Sequence, residues 1–253
     1  MAITFGTGAA LTTGTATSIE LPLPTNVAGE LLMAFGMAGV DAATEGPTLD
    51  INESGYGNQY VHDKTGGTDS TGIVESKFST GGETTALTLQ ITPGTALALK
   101  GQVFAVSGVH ANVWDATPVS GTGIQNNVGN GDGAGTYKTP AITTATANAV
   151  VISFIHKEGG GASSGVTPPS GYTVLIDPVA QNGVNPIFGV AYKLVASPGT
   201  ETPGSWSGWG GTVADISGFT VALKAAVDGQ PAHSRRRGIP GMNTIGSHFG
   251  RGW

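Results

Sequence analysis

Gly161, Ser163 and Gly165 satisfy the Gly-x-Ser-x-Gly pattern of serine hydrolases, and His233 and His248 follow further along the chain. In that pattern the serine stands on a sharp turn from a strand into a helix, beside backbone N–H groups that stabilise the oxyanion. Here a glycine run precedes the string and Thr-Pro-Pro follows it, so no helix is predicted. We therefore expect a non-enzymatic protein, and a serine hydrolase around Ser163 is the least favoured alternative.

No metal or cofactor site is predicted either. The segment 126–133 is rich in Asn and Gly but contains one carboxylate, Asp132, and lacks the acidic spacing of a calcium loop. His62, His110 and His156 are isolated in sequence and form no His-x-His or His-x-x-x-His pair. No Gly-Lys-Thr phosphate loop occurs, so we expect neither catalytic, metal nor cofactor residues.

Three aromatic residues, Tyr192, Trp206 and Trp209, are candidates for a glycan contact. Flat aromatic rings on a β-scaffold can stack on sugar rings, but such residues can equally cover the end of a β-sandwich. Trp206 and Trp209 are three positions apart, so a regular strand would place them on opposite faces, whereas a loop could bring them together.

The last part of the chain differs from the rest in charge. Residues 1–230 contain seven lysines and all 17 acidic residues, a net charge of −10, whereas the last 23 residues contain four arginines and no acid. Large apolar side chains lie among these arginines. We predict that this arm docks on a partner through Arg235, Arg236, Arg237, Ile239, Met242, Ile245, Phe249, Arg251 and Trp253. Three adjacent arginines beside an acidic body do not favour nucleic acid as that partner.

The composition predicts an all-β fold. Charged residues make up 11% of the chain, against about 25% in an average soluble protein. Glycine is abundant, with 42 residues, and Thr and Val suit pleated strands, whereas helix formers are scarce. The chain has no cysteine, which excludes disulfides and thiolate metal sites. It shows neither a signal-peptide pattern nor a long apolar run, so we expect synthesis in the cytoplasm and no membrane contact.

An internal repeat appears when the chain is aligned with itself at an offset of about 116 to 119 residues. Four blocks keep their order, and two of them read as strands buried on both faces. The aligned blocks are 31–35 with 150–154, 55–56 with 171–172, 74–77 with 190–193, and 101–106 with 218–223. A glutamate follows each aligned lysine, Glu83 after Lys77 and Glu201 after Lys193.

The repeat predicts two tandem related β-sandwich units, of jelly-roll or immunoglobulin-like kind, with an extended C-terminal arm. The predicted boundaries are 1–120 for the first unit, 121–135 for a Gly/Asn-rich linker, 136–226 for the second unit and 227–253 for the arm. Gly and Pro interrupt any regular element within the arm.

Several of these strings resemble the repeated β-sandwich units of virion proteins from tailed bacteriophages and prophages. The resemblance covers most of residues 1–226. It is carried by residues 30–35, by 104–109 leading to Asp115 and Pro118, by 167–173, by 191–193 and by 219–224. The first unit differs by having residues 52–56 where a Pro-Pro turn would stand.

The resemblance implies a structural virion protein made in the bacterial cytoplasm, with other capsid or tail proteins as partners and a homo-oligomer in the particle. A decoration or accessory protein anchored by the arm is favoured, because phage fibres more often attach through their N-termini. The alternative is a receptor-binding or glycan-binding tail component that contacts the cell surface.

Overall fold

The computed structural model describes residues 2–39, 48–64, 70–92, 96–115, 124–127, 130–131, 137–157, 166–178, 181, 186–208 and 216–227. These residues form antiparallel β-sheets and contain no α-helix. The predicted all-β fold class is therefore confirmed. The physical basis is the predicted one, because Thr, Val and Gly dominate the strands and turns and few residues could cover the exposed side of a helix.

A six-stranded sheet, inner sheet 1, lies at the centre of the first half. Its strands are β1 (Thr4–Phe5), β2 (Thr12–Ala16), β4 (Leu31–Gly39), β6 (Gly57–Lys64), β7 (Ser70–Phe78) and β9 (Leu97–Ser107). The spatial order is β9-β4-β7-β6, and β1 and β2 pair in turn with the free side of β9.

A second six-stranded sheet, inner sheet 2, has the same arrangement. Its strands are β10 (Val109–Trp114), β11 (Ile124–Asn127), β15 (Ala149–Lys157), β16 (Thr173–Ile176), β17 (Ile187–Val195) and β20 (Ile216–Ala225). The order is β20-β15-β17-β16, and β10 and β11 pair with the free side of β20. In both inner sheets the first long strand, β4 or β15, therefore lies between the last long strand, β9 or β20, and the middle one, β7 or β17.

Smaller outer sheets cover the other faces of the inner sheets. Outer sheet 1 contains β3 (Ser18–Leu21), β5 (Thr48–Ile51) and β8 (Leu87–Thr92). The second half has two small sheets, one with β12 (Asn130–Gly131), β13 (Tyr137–Lys138) and β19 (Ser205–Trp206), the other with β14 (Ile142–Thr144) and β18 (Gly199–Glu201).

Three apolar cores lie between these layers. One core joins the two inner sheets face to face, and the other two join each inner sheet to its outer sheets. Alternation along the strands explains this, since Leu31 and Met33 of β4 enter the central core and Leu32 and Ala34 enter an outer one. Every residue of β4 and of β15 is buried, which confirms the prediction that these apolar strands are covered on both faces.

The strand registers agree with the sequence repeat. Leu32 lies opposite Lys77 on one side and Ala105 on the other. In the second half Val151 lies opposite Lys193 and Ala222, the residues that the alignment assigns to the same places. Aligned residues therefore stand at corresponding sites in both inner sheets, while the division into two tandem β-sandwich units stays a prediction.

Three strands that pair within the second half, β10, β11 and β12, lie before the predicted start of that unit at residue 136. Val109–Trp114 was assigned to the first unit, but it pairs with β20 of inner sheet 2. Ile124–Asn127 was assigned to a linker, yet it also pairs with β20, at Val221 to Gly218. The free edge of β20 offers backbone donors and acceptors, and pairing satisfies them although Asn has low strand propensity. By strand pairing, the chain passes from one inner sheet to the other at Gly108.

Candidate functional site

A cluster of Tyr172, Lys193 and Glu201 lies in the second half, beside the ends of β17 and β18. Lys193, near the end of β17, donates a hydrogen bond to Glu201 Oε1 at 2.8 Å. The hydroxyl of Tyr172 donates to the same oxygen at 3.3 Å. The lysine Nζ also lies 5.9 Å from the centre of the Tyr172 ring, within cation–π range. Tyr172 precedes β16 and Glu201 ends β18, so the cluster joins three separate segments.

The first half contains a corresponding cluster. Lys77 Nζ lies 3.2 Å from Glu83 Oε2 and 5.7 Å from the centre of the Tyr56 ring. The other oxygen of Glu83 accepts hydrogen bonds from the backbone N–H and the hydroxyl of Thr80, at 3.0 and 2.9 Å. The clusters differ at the phenol, because the buried Tyr56 hydroxyl has no hydrogen-bond partner among the described residues.

A tight turn positions each tyrosine. The N–H of Tyr172 donates to Pro169 O at 3.0 Å, and the N–H of Tyr56 donates to Glu53 O at 3.4 Å. The residue before each tyrosine is a glycine with positive φ, 88° at Gly55 and 79° at Gly171. This is the arrangement of a type II turn, in which the third position favours glycine. The two turns place the tyrosines in corresponding positions although the Pro-Pro pair is absent from the first.

The electrostatics of the clusters favour a structural role. Burial raises the pKa of Tyr172, and the neighbouring charge of Glu201 raises it further. Burial likewise raises the pKa of Tyr56, with contributions from Glu83 and Glu75. Burial also acts to raise the pKa of Glu83, but hydrogen bonds from Thr80 and from Lys77 outweigh it and lower that pKa. The phenols thus stay neutral at ordinary pH and are poor candidates for acid, base or nucleophile.

The sequence contained these residues but not their association. In the sequence, the two tyrosines and the two lysines are aligned positions of the repeat, with no sign that they are in contact. The usable signal was that three residue types recur together, since independent positions seldom keep Tyr, Lys and Glu in the same order. A structural contact was not predicted either: Asp115, buried after β10, accepts hydrogen bonds from the backbone of Ala145 and from Thr146. It fastens the edge of inner sheet 2 to the loop before β15.

The structure does not bring the predicted glycan-contact residues together. Trp206 is fully buried, and its Nε1–H donates to Ser153 Oγ at 2.8 Å inside the core under inner sheet 2. Tyr192 packs on the opposite face of that sheet, with its ring centre 4.6 Å from that of Phe5. These two residues therefore form no common exposed surface, which corrects the predicted platform. Trp209 lies outside the described residues.

The histidines and the other residues that were weighed as catalytic or metal candidates, but not predicted as such, lie apart from these clusters or outside the described residues. His156 is buried between the inner sheets, where its Nδ1 lies 2.8 Å from Ser70 Oγ. His110 Nδ1 accepts a hydrogen bond from the N–H of Asn112 at 2.9 Å. Ser163, Asp132, His233, His248 and residues 228–253 of the predicted arm lie outside the described residues.

The described residues contain neither a candidate metal site nor a candidate membrane-spanning helix. Among them no group of three or more His, Cys, Asp or Glu side chains could hold a metal ion. They also include no helix with the length and apolar character needed to cross a membrane. No family model, curated protein or solved structure matches the chain.

Proposed function

We propose that the chain is a structural component of a tailed-phage virion, a decoration or accessory protein held in the particle by its C-terminal arm. The observation that carries the proposal is the position of the segments that resemble phage virion units. Residues 31–35, 104–106 and 219–223 all belong to the long strands of the inner sheets. The resemblance thus concerns the framework of the body, as expected for a protein whose task is mechanical.

The repeated clusters support the same interpretation. In each, the lysine and glutamate are paired with each other and the ring lies beside the lysine, so the groups tie a turn to a strand end. A glycan-binding role is the weaker candidate, since burial of Trp206 removes one of its three predicted contacts.

The arm is the segment best suited to attachment. Ordering a flexible residue costs about 1–2 kcal/mol, so an arm that becomes ordered must gain contacts on a partner. Burial of Phe249 and Trp253 would return roughly 2–3 kcal/mol each, and paired arginines would add specificity more than affinity.

Deletion of the chain after Asp228 tests the proposal. We expect the truncated body to stay folded, as judged by its circular dichroism spectrum, but to be absent from purified particles. Trp253→Ala should reduce incorporation in part, whereas the control Trp253→Phe, which keeps an aromatic ring, should remain close to normal. Quantitative mass spectrometry of purified particles measures the copy number.

Two outcomes would contradict different parts of the proposal. If the full-length protein is missing from purified particles, the assignment to the virion is wrong. If the truncated protein is present at normal copy number, the anchor lies in the body and the role of the arm is wrong.

A further inference from the structure

At one end of inner sheet 2, the face that packs against inner sheet 1 extends beyond the residues that cover it. Val150 stands between Leu223 of β20 and Leu194 of β17 in the same register row. Leu223 and Val150 are buried, but Leu194 is 48% exposed. Val227, just after β20, is 56% exposed. Exposed apolar side chains at the same end of a sheet can form an interaction surface.

A cavity that Val227 helps to line lies at the end of β20. It has a volume of about 260 Å³ and is lined by residues 146–148 and 224–227, of which three are alanines. Leu194 is close to it, because the N–H of Asn148 donates to Ala196 O at 3.4 Å, two residues further along the chain. Leu194 lies two strands away from β20, and Val227 lies four residues beyond Leu223 along the chain. With about 4.8 Å between strands and about 3.3 Å per residue, the surface from Leu194 to Val227 spans roughly 16 Å. We call Leu194, Val227 and this cavity the apolar ledge.

We propose that the apolar ledge is the docking site of the chain's own C-terminal arm. The predicted arm, 227–253, begins with the exposed Val227. From Asp228 onward it contains the apolar residues Ile239, Met242, Ile245, Phe249 and Trp253. Ile239 is 12 residues beyond Val227, and a flexible tether of that length has an average extension of about 20 Å. The apolar side chains of the arm therefore reach the ledge without a second chain.

Tethering favours the arm of the same chain over that of another copy. A short flexible linker gives its own end an effective concentration in the millimolar range, far above that of a dilute free protein. Lys224, which lines the cavity, repels the arginines of the arm, so the apolar side chains enter and the arginines stay in solvent. Docking covers these side chains before a partner is met, and the inference does not depend on the proposed function.

Crosslinking in the full-length protein tests this inference. Because the chain has no cysteine, Ala196→Cys at the ledge and Ser247→Cys in the arm create one unique pair for a short bismaleimide. We expect a crosslink within single chains at a rate that does not change with protein concentration. Adding Leu194→Ser should slow it about fivefold or more, since the loss of burial of one leucine-sized side chain shifts an equilibrium by roughly a factor of ten.

Val27→Ser is the matched control, because Val27 is 60% exposed on the opposite half of the molecule and should leave the rate unchanged. Val227→Ser provides a second ledge variant with the same expected effect as Leu194→Ser. Circular dichroism and urea midpoints verify that each variant is folded. Three results would each overturn the inference. They are crosslinks between chains, a crosslinking rate that neither ledge variant changes, and an equal loss of rate with Val27→Ser.

Discussion

Two tyrosines occupy corresponding turns but differ in one hydrogen bond. The hydroxyl of Tyr172 donates to Glu201 at 3.3 Å, whereas that of Tyr56 is buried with no hydrogen-bond partner among the described residues. A buried hydroxyl that makes a hydrogen bond contributes about 1 kcal/mol, and one that makes none carries a desolvation cost.

Replacement of each tyrosine by phenylalanine should therefore give different results. We expect Tyr172→Phe to lower the free energy of unfolding by about 1 kcal/mol and Tyr56→Phe to leave it unchanged or raise it. Each variant is the control for the other, because both keep the ring beside its lysine. Urea denaturation measures the difference, and equal losses would show that the Glu201 hydrogen bond contributes nothing.

A lysine is buried in the first inner sheet. Lys100 of β9 is 1% exposed and lies opposite Met37 and Thr13. Burial lowers the pKa of Lys100 from 10.5 to about 8, because the charged ammonium loses its hydration. The folded protein therefore releases this proton more readily than the unfolded chain does.

This difference predicts a rise in stability with pH. Between about pH 8 and pH 10.5 the unfolded chain binds a proton at Lys100 that the folded protein has lost, so the free energy of unfolding increases. The full shift corresponds to about 3 kcal/mol as an upper limit. Lys100→Met should remove this rise, as measured by urea denaturation of both proteins across that pH range. The difference between the two proteins isolates Lys100 from tyrosine ionisation, and parallel pH profiles would refute the assignment.

At the scale of secondary-structure elements, one glycine joins the two inner sheets. Gly108 separates β9 from β10 with φ of 77°, and its carbonyl accepts the N–H of Ala226 at 2.8 Å. A Cβ atom at this position would overlap the carbonyl oxygen of Ala2 and lie 3.2 Å from Ile3 Cα. The chain thus crosses between sheets at a point where both the backbone angle and the space require glycine.

Gly108→Ala should be much more harmful than Gly171→Ala. Gly171 has nearly the same φ, 79°, but nothing within 4 Å of an added Cβ, so its substitution costs only backbone strain of about 1–2 kcal/mol. We expect Gly108→Ala to cost several kcal/mol more or to prevent folding, because a backbone oxygen cannot move aside easily. Urea midpoints of the two variants measure this difference. Equal destabilisation would mean that the backbone around residue 108 shifts easily to accept a Cβ atom.

In the whole molecule, aromatic side chains pack between the two inner sheets as part of the central core. The ring of Phe154 lies 4.5 Å from Phe219 and 5.5 Å from Phe188 in its own sheet, and 6.2 Å from Phe35 in the other. Phe35 and Phe154 are aligned positions of the sequence repeat, and both point into the central core. The two halves therefore use corresponding faces to bind each other, as two subunits of a symmetric dimer would.

Because this core is shared, we expect both halves to unfold together. Phe154→Ala should cost about 3–5 kcal/mol by leaving a cavity in the central core. Native-state hydrogen exchange should then show the same loss of protection in β4 and in β15, although the substitution lies in β15. Unchanged protection in β4 would show instead that the halves unfold independently.

Sequence reasoning was most successful where burial leaves a one-dimensional pattern. The runs at 31–35 and 150–154 are apolar without alternation, which indicates strands covered on both faces, and both strands are buried throughout. The sequence left a glycan contact and a covering role both open for Trp206, and its burial favours the covering role. That burial depends on β19 pairing with β13, where Tyr137 lies opposite Trp206. A pairing between residues 69 positions apart leaves no local trace in the sequence.

The all-β class, the two buried central strands and the aligned positions of the repeat were predictable from the sequence, because local propensity and hydrophobic pattern act along the chain. The edge that accepts β10 and β11, the core shared by the two inner sheets and the two meetings of Tyr, Lys and Glu became visible only in the folded molecule. These features depend on contacts between distant segments, where the free edge of a strand or the uncovered face of a sheet selects its partner by geometry and burial.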